Sequence, residues 1–563
     1  MVYIIRSSLL TKRMLIMLLL ISTPALGGAS DIKLVLQITI DGLRPDLIQR
    51  SLENFSKNGF NYFFTEGYAY NNAHYLHANT ETIVGHTTLA TGTTPAVHGM
   101  TGNVWFDHHA KELVYNIEDP NAPLLPTRDL ARQGEQVDPA QKLARSKGRS
   151  PEAILVPTFS DTLSAYYGGQ SKVFAVSGKD RSAVAMAGHI GKAFWFSTNT
   201  GDFVSSQYYY DDYPEWVKGW NQQRNSENYA GKNWSLVDAA DSYKLINRDD
   251  RPYEVDLKGF SRTFPHPYGP AEHPLFNTRV LVSPLGDQLT LDFSKALIEG
   301  EGLGRDTTPD YLSISFSGVD AVNHFFGPNS LENEDSVRQL DRTLSDLLKF
   351  IDKKVGLKNT VIVLSADHGM ADMPEYISEQ GYKVGRLYSE QVVALANQAG
   401  EELFGIKDVS RFFFRPYLYL NDETLAKAKL DKATVEQAIA TKLTEHEGIA
   451  MAVPQSGLSP LQDTVIYQQI KNNNHPLRSG DIYVAQAPYW FMFEKGPVAA
   501  MHGSPWRYDT HVPIIFAGAG IKSGSSSRLV HPSDVAPTLA GLLNISPPAA
   551  SQGNVLSEVI EGK

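Results

Sequence analysis

The sequence predicts an α/β protein with a mostly parallel central sheet and helices on both faces. Five runs of apolar and β-branched residues are each followed by polar residues, which is typical of strands buried inside such a sheet. Before one of these runs, apolar residues recur at helical spacing and charged residues occupy the opposite face. A helix placed between two strands favours a parallel connection between them.

The residues that follow the predicted strands are the first candidates for function. In chain order the strands are Leu34–Ile40, Lys172–Val176, Tyr311–Phe316, Thr360–Leu364 and Val512–Phe516. The helix before the fourth strand has its apolar stripe at Val337, Leu340, Leu344, Leu347, Leu348 and Ile351, and a second helical pattern covers Thr424–Leu443. Ligands of open α/β sheets bind beyond the carboxyl ends of the strands. We therefore expect a site that includes Asp41, Lys179, Asp320 and the pair Asp367-His368.

The chain is expected to form one catalytic domain, residues 28–563, with two insertions. The first insertion, about residues 194–276, is dense in aromatic residues and in Asn, Asp and Pro. We expect its aromatic side chains to anchor it to the sheet rather than to stack on a substrate. The second, about residues 383–489, has mixed character and includes the second helical pattern.

Residues 1–27 have the pattern of a secretory signal. Arg6, Lys12 and Arg13 form a positive flank, an apolar run follows, and Ala25-Leu26-Gly27 is a small-residue cleavage site. The apolar run is too short to span a bilayer, so we expect cleavage and no stable membrane anchor. The sequence thus predicts a periplasmic or secreted protein.

Charge and cysteine content restrict the partners and the chemistry. The formal net charge of −11 becomes −14 when the signal, with three positive and no negative charges, is removed. No DNA-binding footprint is visible in so acidic a chain, and we expect no nucleic acid partner. The absence of cysteine excludes a thiol nucleophile, thiolate metal ligands and lipid attachment through a cysteine. The oligomeric state is left open by the sequence.

Six residues are candidate metal ligands: Asp41, Asp320, His324, Asp367, His368 and His502. Each has an ordinary alternative explanation, such as a helix cap, a surface pair four residues apart or a loop histidine. Their occurrence at strand ends favours a shared site, because one sheet geometry would gather them. Oxygen and nitrogen ligands in this number suit two zinc ions. A metal pair about 4 Å apart would stabilise both the attacking and the leaving oxygen of an in-line displacement.

Without a thiol, the nucleophile of such a site is expected to be a hydroxyl. The segment from Asn79 to Gly92 contains several threonines, and Thr82 would begin a short helix that ends at Gly92. The dipole of that helix would favour an alkoxide and later a covalently held phosphate. Composition alone does not choose among the threonines.

In their order along the chain, these segments resemble the alkaline phosphatase superfamily. The matching motifs are Ile40-Asp41-Gly42, Thr82-Ile83-Val84-Gly85-His86-Thr87, Thr91-Gly92, Pro95 to Asn103, Asp320 with His324 to Pro328, Ala366 to Gly369, His502-Gly503-Ser504 and Asp534 to Leu539. More narrowly, the chain resembles the branch that uses threonine as nucleophile. That branch contains the nucleotide pyrophosphatase/phosphodiesterases and the bacterial phosphate-irrepressible alkaline phosphatases. The resemblance spans about Leu34 to Leu556 and implies an alkaline phosphatase-like fold.

The resemblance also implies a role for each residue. One zinc ion would be bound by Asp320, His324 and His502, and the other by Asp41, Asp367 and His368. Thr82, also in contact with zinc, would take the phosphoryl group, and Asn103 would donate to a non-bridging oxygen. Thr82 and Asn103 stand at the separation found in the family, which selects Thr82. The implied reaction is hydrolysis of small phosphomonoesters through a phosphothreonine intermediate, favoured at alkaline pH.

Lys179 and Arg181 distinguish the two groups within this branch. Both follow a predicted strand, and together they could bind a phosphate through an ammonium and a guanidinium. A salt-bridging surface loop is the ordinary alternative for such a turn. The phosphate-irrepressible phosphatases have Lys-x-Arg at this point, whereas the phosphodiesterases lack it. A monoester dianion carries one more negative charge than a diester and gains most from these cations.

Other functions remain as alternatives. The nearest is a nucleotide-type phosphodiesterase/pyrophosphatase of the same superfamily. A sulfatase would need a Cys or Ser in place of Thr82, and a catalytically silent zinc-binding or surface-adhesion protein would not need the complete ligand set. Glu81 departs from the family pattern, because a carboxylate beside the nucleophile would either repel the substrate or point away.

Overall fold

The fold is described from a computed structural model over residues 32–107, 110–127, 138–458 and 464–560. The strands are β1 (Leu34–Ile40), β2 (Tyr68–His74), β3 (Val104–Asp107), β4 (Glu112–Tyr115), β5 (Val173–Ser177), β6 (Lys192–Phe196), β7 (Phe203–Val204), β8 (Asn233–Trp234), β9 (His266–Pro267), β10 (Asp310–Phe316), β11 (Thr360–Ser365), β12 (Arg386–Tyr388), β13 (Ser410–Phe414), β14 (Tyr417–Leu420), β15 (Ile449–Pro454), β16 (Ile482–Gln486), β17 (Phe491–Phe493), β18 (His511–Gly518) and β19 (Gly524–Ser526). The α-helices are α1 (Pro45–Arg50), α2 (Phe60–Glu66), α3 (Thr82–Thr91), α4 (Pro95–His98), α5 (Pro139–Lys142), α6 (Phe159–Tyr166), α7 (Asp180–Ala187), α8 (Glu215–Gln222), α9 (Phe276–Leu281), α10 (Pro284–Glu301), α11 (Gly318–Phe326), α12 (Leu331–Lys354), α13 (Pro374–Glu379), α14 (Ser389–Phe404), α15 (Asp422–Ala428), α16 (Lys432–Leu443), α17 (Val465–Asn473), α18 (Arg507–Thr510), α19 (Val535–Leu543) and α20 (Ser557–Ile560).

Nine strands form a central sheet in the order β19-β2-β18-β11-β1-β10-β5-β6-β7. The five strands from β11 to β6 run parallel to one another, whereas β18 is antiparallel to β11. Every residue of β1, β5, β10 and β11 is buried, because α10 and α12 cover one face of the sheet and α3, α7 and α19 cover the other. The predicted fold class is confirmed.

All five predicted strands lie in this sheet. The first has the predicted bounds, and the others differ at their ends by one or two residues. The helix predicted from its apolar stripe is α12, whose stripe packs in the core. Thr82 begins α3 as predicted, and Gly92 ends that helix in the left-handed conformation with φ of 70°. The pattern over Thr424–Leu443 is divided into α15 and α16, because Lys429 has a left-handed backbone with φ of 56°.

The register of the parallel strands brings several chain segments to one edge of the sheet. Ile40 pairs with Phe316, Thr39 with Ser365, and Ser315 with Ser177. The residues just beyond these positions are therefore neighbours in space. Because β18 runs in the opposite direction, the chain that precedes it, which contains His502, also reaches this edge.

The two predicted insertions differ in how they pack. Aromatic residues of the first surround Phe293 of α10: Phe203 stacks on its ring at 4.2 Å, and Trp216 and Trp220 lie at 5.2 and 5.6 Å between ring centroids. The second contains a separate four-stranded sheet, β13-β14-β16-β15, with its own core against α14 and α16. Across the described ranges, no helix has the length and apolar character needed to cross a membrane. The predicted signal, residues 1–27, lies outside those ranges.

Candidate active site

Four of the predicted site residues meet at the carboxyl edge of the sheet with no exposed surface. Asp41 follows β1, Asp320 lies in the first turn of α11, and Asp367 and His368 follow β11. The relative exposure of all four is 0%. The sheet register thus gathers three carboxylates and an imidazole from segments that are far apart in the sequence.

Asp320, His324 and His502 form the first potential metal group. One atom of each residue lies within 4.8 Å of the others. The Nε2 atoms of His324 and His502 are 3.3 and 3.7 Å from the Asp320 carboxylate oxygens. Asp320 and His324 are one turn apart on α11, which places both on one face of that helix.

Asp41, Asp320 and His368 form the second potential metal group, again within 4.8 Å. Asp41 Oδ1 is 3.3 Å from His368 Nε2, and Asp367 Oδ2 is 3.4 Å from the same nitrogen. The other oxygen of Asp367 accepts a hydrogen bond from the Gly42 N–H at 3.1 Å. The sequence predicted Asp320 for one ion only, whereas the structure places it within reach of both groups.

The three histidines are held in one tautomer by backbone carbonyls. The Nδ1 atom of His324 lies 2.9 Å from Ala500 O, that of His368 2.8 Å from Gly369 O, and that of His502 2.8 Å from Thr80 O. A carbonyl only accepts, so each Nδ1 carries a hydrogen, and in the neutral ring Nε2 has the lone pair that a metal would take. Metal-binding histidines are commonly oriented in this way.

The oxygen and nitrogen donors of these residues fit a pair of zinc ions. Asp41 Oδ1 and Asp320 Oδ1 are buried and accept no hydrogen bond from the described residues, and Asp367 Oδ2 is buried 3.1 Å from His86 Nδ1. Such oxygens are costly to bury unless a cation compensates them. With the three Nε2 lone pairs, they provide the carboxylate and imidazole ligands that zinc takes when no thiolate is present.

Electrostatics at the site point to the same need for cations. Burial, and then the charges of Asp320 and Asp367, raise the pKa of Asp41. Burial would also raise the pKa of Asp320, but His324 and Lys179 outweigh it and hold that pKa well below its usual value. The Lys179 ammonium lies 2.8 Å from Asp41 Oδ2 and 2.5 Å from Asp320 Oδ2. Lys179 therefore contacts the carboxylates of both groups.

Removing metal should lower the stability of the protein. Ions held at about a thousand times their dissociation constant would stabilise the fold by about 4 kcal/mol each, and chelation removes this contribution. We expect the melting temperature to fall by about 4 °C or more for a chain of this size when a chelator is added, and to recover with zinc. Calorimetry of wild type and of Asp320→Ala measures this. Two results would contradict a metal site at these residues. One is a wild-type melting temperature that the chelator does not change, and the other is a chelator-induced shift in Asp320→Ala as large as that in wild type.

Thr82 lies at the amino end of α3, beside the second metal group. Its Oγ1 atom is 3.5 Å from His368 Nε2, and the residue is fully buried. The backbone N–H of Ile83 donates to Asn103 Oδ1 at 3.3 Å, which joins the Asn103 loop to the first turn of the helix. The positive end of the helix dipole thus lies beside the predicted nucleophile.

The carboxylate of Glu81, the residue before Thr82, accepts hydrogen bonds from two other segments. Oε2 accepts the Asn103 N–H at 2.6 Å, and Oε1 accepts from Arg415 Nη2 at 2.9 Å. Glu81 also lines the cavity that Lys179 and Arg181 line, and its carboxylate is held there by donors from two other segments.

Lys179 and Arg181 follow β5 and are both nearly buried. Arg181 Nη1 donates to Asp138 Oδ2 at 2.7 Å, so a phosphate bound here would share the guanidinium with this carboxylate. Both cations line a cavity of about 240 Å³. The other polar lining includes Asn103, Asp138, Asp320, His324 and His502, and the apolar lining includes Trp195, Phe196, Leu281, Phe325, Phe414 and Phe493.

Two residues at the site were not predicted from the sequence. Arg415 comes from the turn between β13 and β14 in the second insertion, and nothing in its local sequence indicates contact with the central sheet. Asp138 precedes Pro139 and caps α5 through its Oδ1 atom. Its sequence pattern predicts the cap but not the contact with Arg181.

Gly85 fixes the distance between α3 and the metal ligands. A Cβ atom on Gly85 would lie 1.9 Å from the backbone oxygen of Asp367, so the helix or the ligand segment would have to move. We expect Gly85→Ala to destabilise the fold by about 3 kcal/mol or more, as overpacking against backbone does, and to lower zinc affinity. Gly219→Ala in α8 is the matched control, because no atom lies within 4 Å of its added Cβ. Denaturant unfolding and zinc titration measure both effects. A Gly85→Ala protein as stable as Gly219→Ala would contradict this packing.

Comparisons with known proteins are consistent with this geometry. The model of the type I phosphodiesterase / nucleotide pyrophosphatase family matches residues 35–505. A protein of Myroides odoratus described as a calcium-transporting ATPase is 32% identical over 534 residues, which cover 94% of this chain and 95% of that protein. The alkaline phosphatase PafA of Elizabethkingia meningoseptica is 31% identical over 540 residues, 94% of each chain.

Solved structures of PafA have the same fold. The wild-type crystal structure superposes with a TM-score of 0.85 at 29% identity and covers 94% of this chain and 99% of that one. Another PafA structure carries substitutions at a threonine, an asparagine, a lysine and an arginine. In that protein the threonine and asparagine are 21 residues apart and the lysine and arginine are two apart. Thr82 and Asn103, and Lys179 and Arg181, have the same separations here.

Proposed function

We propose that this chain, which belongs to the type I phosphodiesterase / nucleotide pyrophosphatase family, is a zinc-dependent phosphomonoesterase that acts through a phosphothreonine at Thr82. The observation that carries the proposal is the position of Lys179 and Arg181 in the wall of the cavity that Asp320, His324 and His502 also line. Two buried cations suit the doubly charged phosphate of a monoester better than the single charge of a diester.

The residues of the chain divide the reaction between them. Thr82 Oγ1 attacks phosphorus, the bond between phosphorus and the ester oxygen breaks, and the alcohol leaves with the proton that the Thr82 hydroxyl gives up. The helix dipole at the amino end of α3 stabilises the phosphoryl group that Thr82 receives. Asn103 accepts from Ile83 through Oδ1, which leaves its Nδ2 hydrogens to donate to a non-bridging oxygen. Zinc held by the six ligands would supply positive charge at the attacking hydroxyl and at the leaving oxygen. Water then hydrolyses the phosphothreonine, which releases phosphate and restores the Thr82 hydroxyl.

The relatives support this choice of substrate. Two proteins named alkaline phosphatase are each 31% identical to this chain, and each match covers 94% of it. The motif spacings shared with the substituted PafA protein support roles for Thr82, Asn103, Lys179 and Arg181. The apolar side of the cavity would accommodate varied leaving groups, because side chains such as Trp195 and Phe325 offer surface without demanding a particular hydrogen-bond pattern.

Export is part of the proposal. The pattern of residues 1–27 supports cleavage and release into the periplasm or the medium, with residues 28–563 as the working enzyme. Mass spectrometry of the mature protein from the native host tests this, and an intact amino terminus would contradict it.

The proposed activity is tested by comparing kcat/KM of zinc-loaded protein for an aryl phosphate and a bis-aryl phosphate. We expect the monoester to be the better substrate. A preference for the diester would contradict the proposal and favour the nucleotide-type phosphodiesterase of the same superfamily.

A further inference from the structure

Glu81 and Arg415 form a buried ion pair next to the proposed nucleophile. Arg415 Nη2 donates to Glu81 Oε1 at 2.9 Å. Their relative exposures are 2% for Arg415 and 4% for Glu81. Arg415 comes from the second insertion and Glu81 from the loop before α3, so the pair connects the inserted region with the central domain.

The other oxygen of Glu81 connects the nucleophile with Asn103. Oε2 accepts the Asn103 backbone N–H at 2.6 Å, and Asn103 in turn accepts the Ile83 N–H through its side chain at 3.3 Å. Glu81 and Ile83 are the two residues that flank Thr82. The Asn103 loop is thus tied to both neighbours of the nucleophile.

The other arm of Arg415 connects the pair with the metal group. Arg415 Nη1 donates to the backbone oxygen of His502. Gly503 has φ of 103°, and a Cβ atom on it would lie 2.6 Å from both Nη1 and Nη2. The glycine therefore leaves room for the guanidinium to reach the His502 carbonyl.

Stability alone does not explain such a pair. A buried ion pair gains little over a well-packed apolar pair, because both charges lose their hydration. What this pair provides is a fixed geometry, since one carboxylate and one planar guanidinium hold three separate segments at once. Lysine could not replace Arg415, because a single ammonium lacks the two separate N–H arms that reach Glu81 and His502.

From these contacts, and on the basis of the proposed phosphoryl transfer to Thr82, we propose that Glu81 and Arg415 are positioning residues. Glu81 holds Asn103 at the distance from Thr82 where its side chain donates to the phosphoryl oxygen. Arg415 orients Glu81 and fixes the His502 segment relative to it. Neither residue needs to touch the substrate for this role.

The test is a double-mutant cycle between Glu81→Gln and Asn103→Ala. Glutamine has a single acceptor oxygen, so it keeps one of the two Glu81 contacts and loses the other. We expect kcat/KM for an aryl phosphate to fall about 10- to 100-fold in Glu81→Gln, as for other residues that orient a functional group. In the Asn103→Ala background the same change should cost less than about 3-fold, because the group that Glu81 positions is gone. Arg415→Lys also weakens the contact with His502, so only part of its loss should depend on Asn103.

Glu334→Gln is the matched control. Glu334 is buried, pairs with buried Arg338 at 2.7 Å, and accepts backbone N–H groups from Lys244 and Leu245, but it lies away from the cavity. We expect it to lower the melting temperature as much as Glu81→Gln does and to leave kcat/KM unchanged. Zinc content should be equal in the Glu81→Gln, Asn103→Ala and Glu334→Gln variants.

Two results would overturn the positioning role. One is a Glu81→Gln activity equal to wild type, and the other is an equal fold-loss with and without the Asn103 side chain. Failure of the proposed function is a separate outcome, because it appears in the wild-type preference for monoester or diester. The cycle can be measured with whichever ester the wild type hydrolyses.

Discussion

Thr82→Ala should lower kcat/KM for an aryl phosphate by at least about 10⁴-fold, the scale seen when a covalent nucleophile is removed. The variant keeps the metal ligands, so its zinc content and melting temperature should stay close to wild type. Thr82→Ser should retain part of the activity, because it keeps a hydroxyl at the amino end of α3. Thr88→Ala, on the same helix and also buried, is the control for the loss of a threonine. Activity in Thr82→Ala within about 10-fold of wild type would contradict the assignment of the nucleophile.

Replacing both Lys179 and Arg181 with alanine should change the choice of substrate. We expect kcat/KM for the monoester to fall by about 10²- to 10³-fold, because two buried donors to the phosphoryl group are lost. The diester has one negative charge less and should lose less than about 10-fold. The ratio of the two kcat/KM values is the quantity to measure.

Two controls accompany that ratio. Lys179 also contacts Asp41 and Asp320, so zinc content has to be measured in the double variant. Lys218→Ala removes a lysine that pairs with Asp212 and Glu215 at the surface, and it should leave the ratio unchanged. An equal loss for both esters in the Lys179 and Arg181 variant would mean that these cations do not recognise the second phosphate charge.

Much of the fold follows from local pattern. The runs that form β1, β10 and β11 are continuous and apolar because both faces of each strand are buried. The bounds of α3 were predictable, because the helix begins at Thr82 and ends before Gly92, a residue type that favours the left-handed backbone. The break between α15 and α16 was not predictable, since lysine, the residue at position 429, is not a type that favours a left-handed backbone.

The ligand set was predictable for a different reason. Residues at the ends of neighbouring parallel strands share one edge, so Asp41, Asp320 and Asp367 could be grouped before any distance was known. That Asp320 belongs to both metal groups was not predictable, because it depends on how α11 packs. The contacts of Glu81 depend on Arg415, which is more than three hundred residues away in the chain. Long-range contacts of this kind leave no periodic signal in one sequence.

Phosphoryl transfer through Thr82 can be decided by the stereochemical course at phosphorus. A monoester made chiral with oxygen isotopes is hydrolysed by zinc-loaded wild-type protein in isotopically distinct water, and the configuration of the released phosphate is determined. Attack by Thr82 followed by attack by water gives two inversions, so net retention is the predicted result. Net inversion would show a single direct attack by water and would contradict a phosphothreonine intermediate.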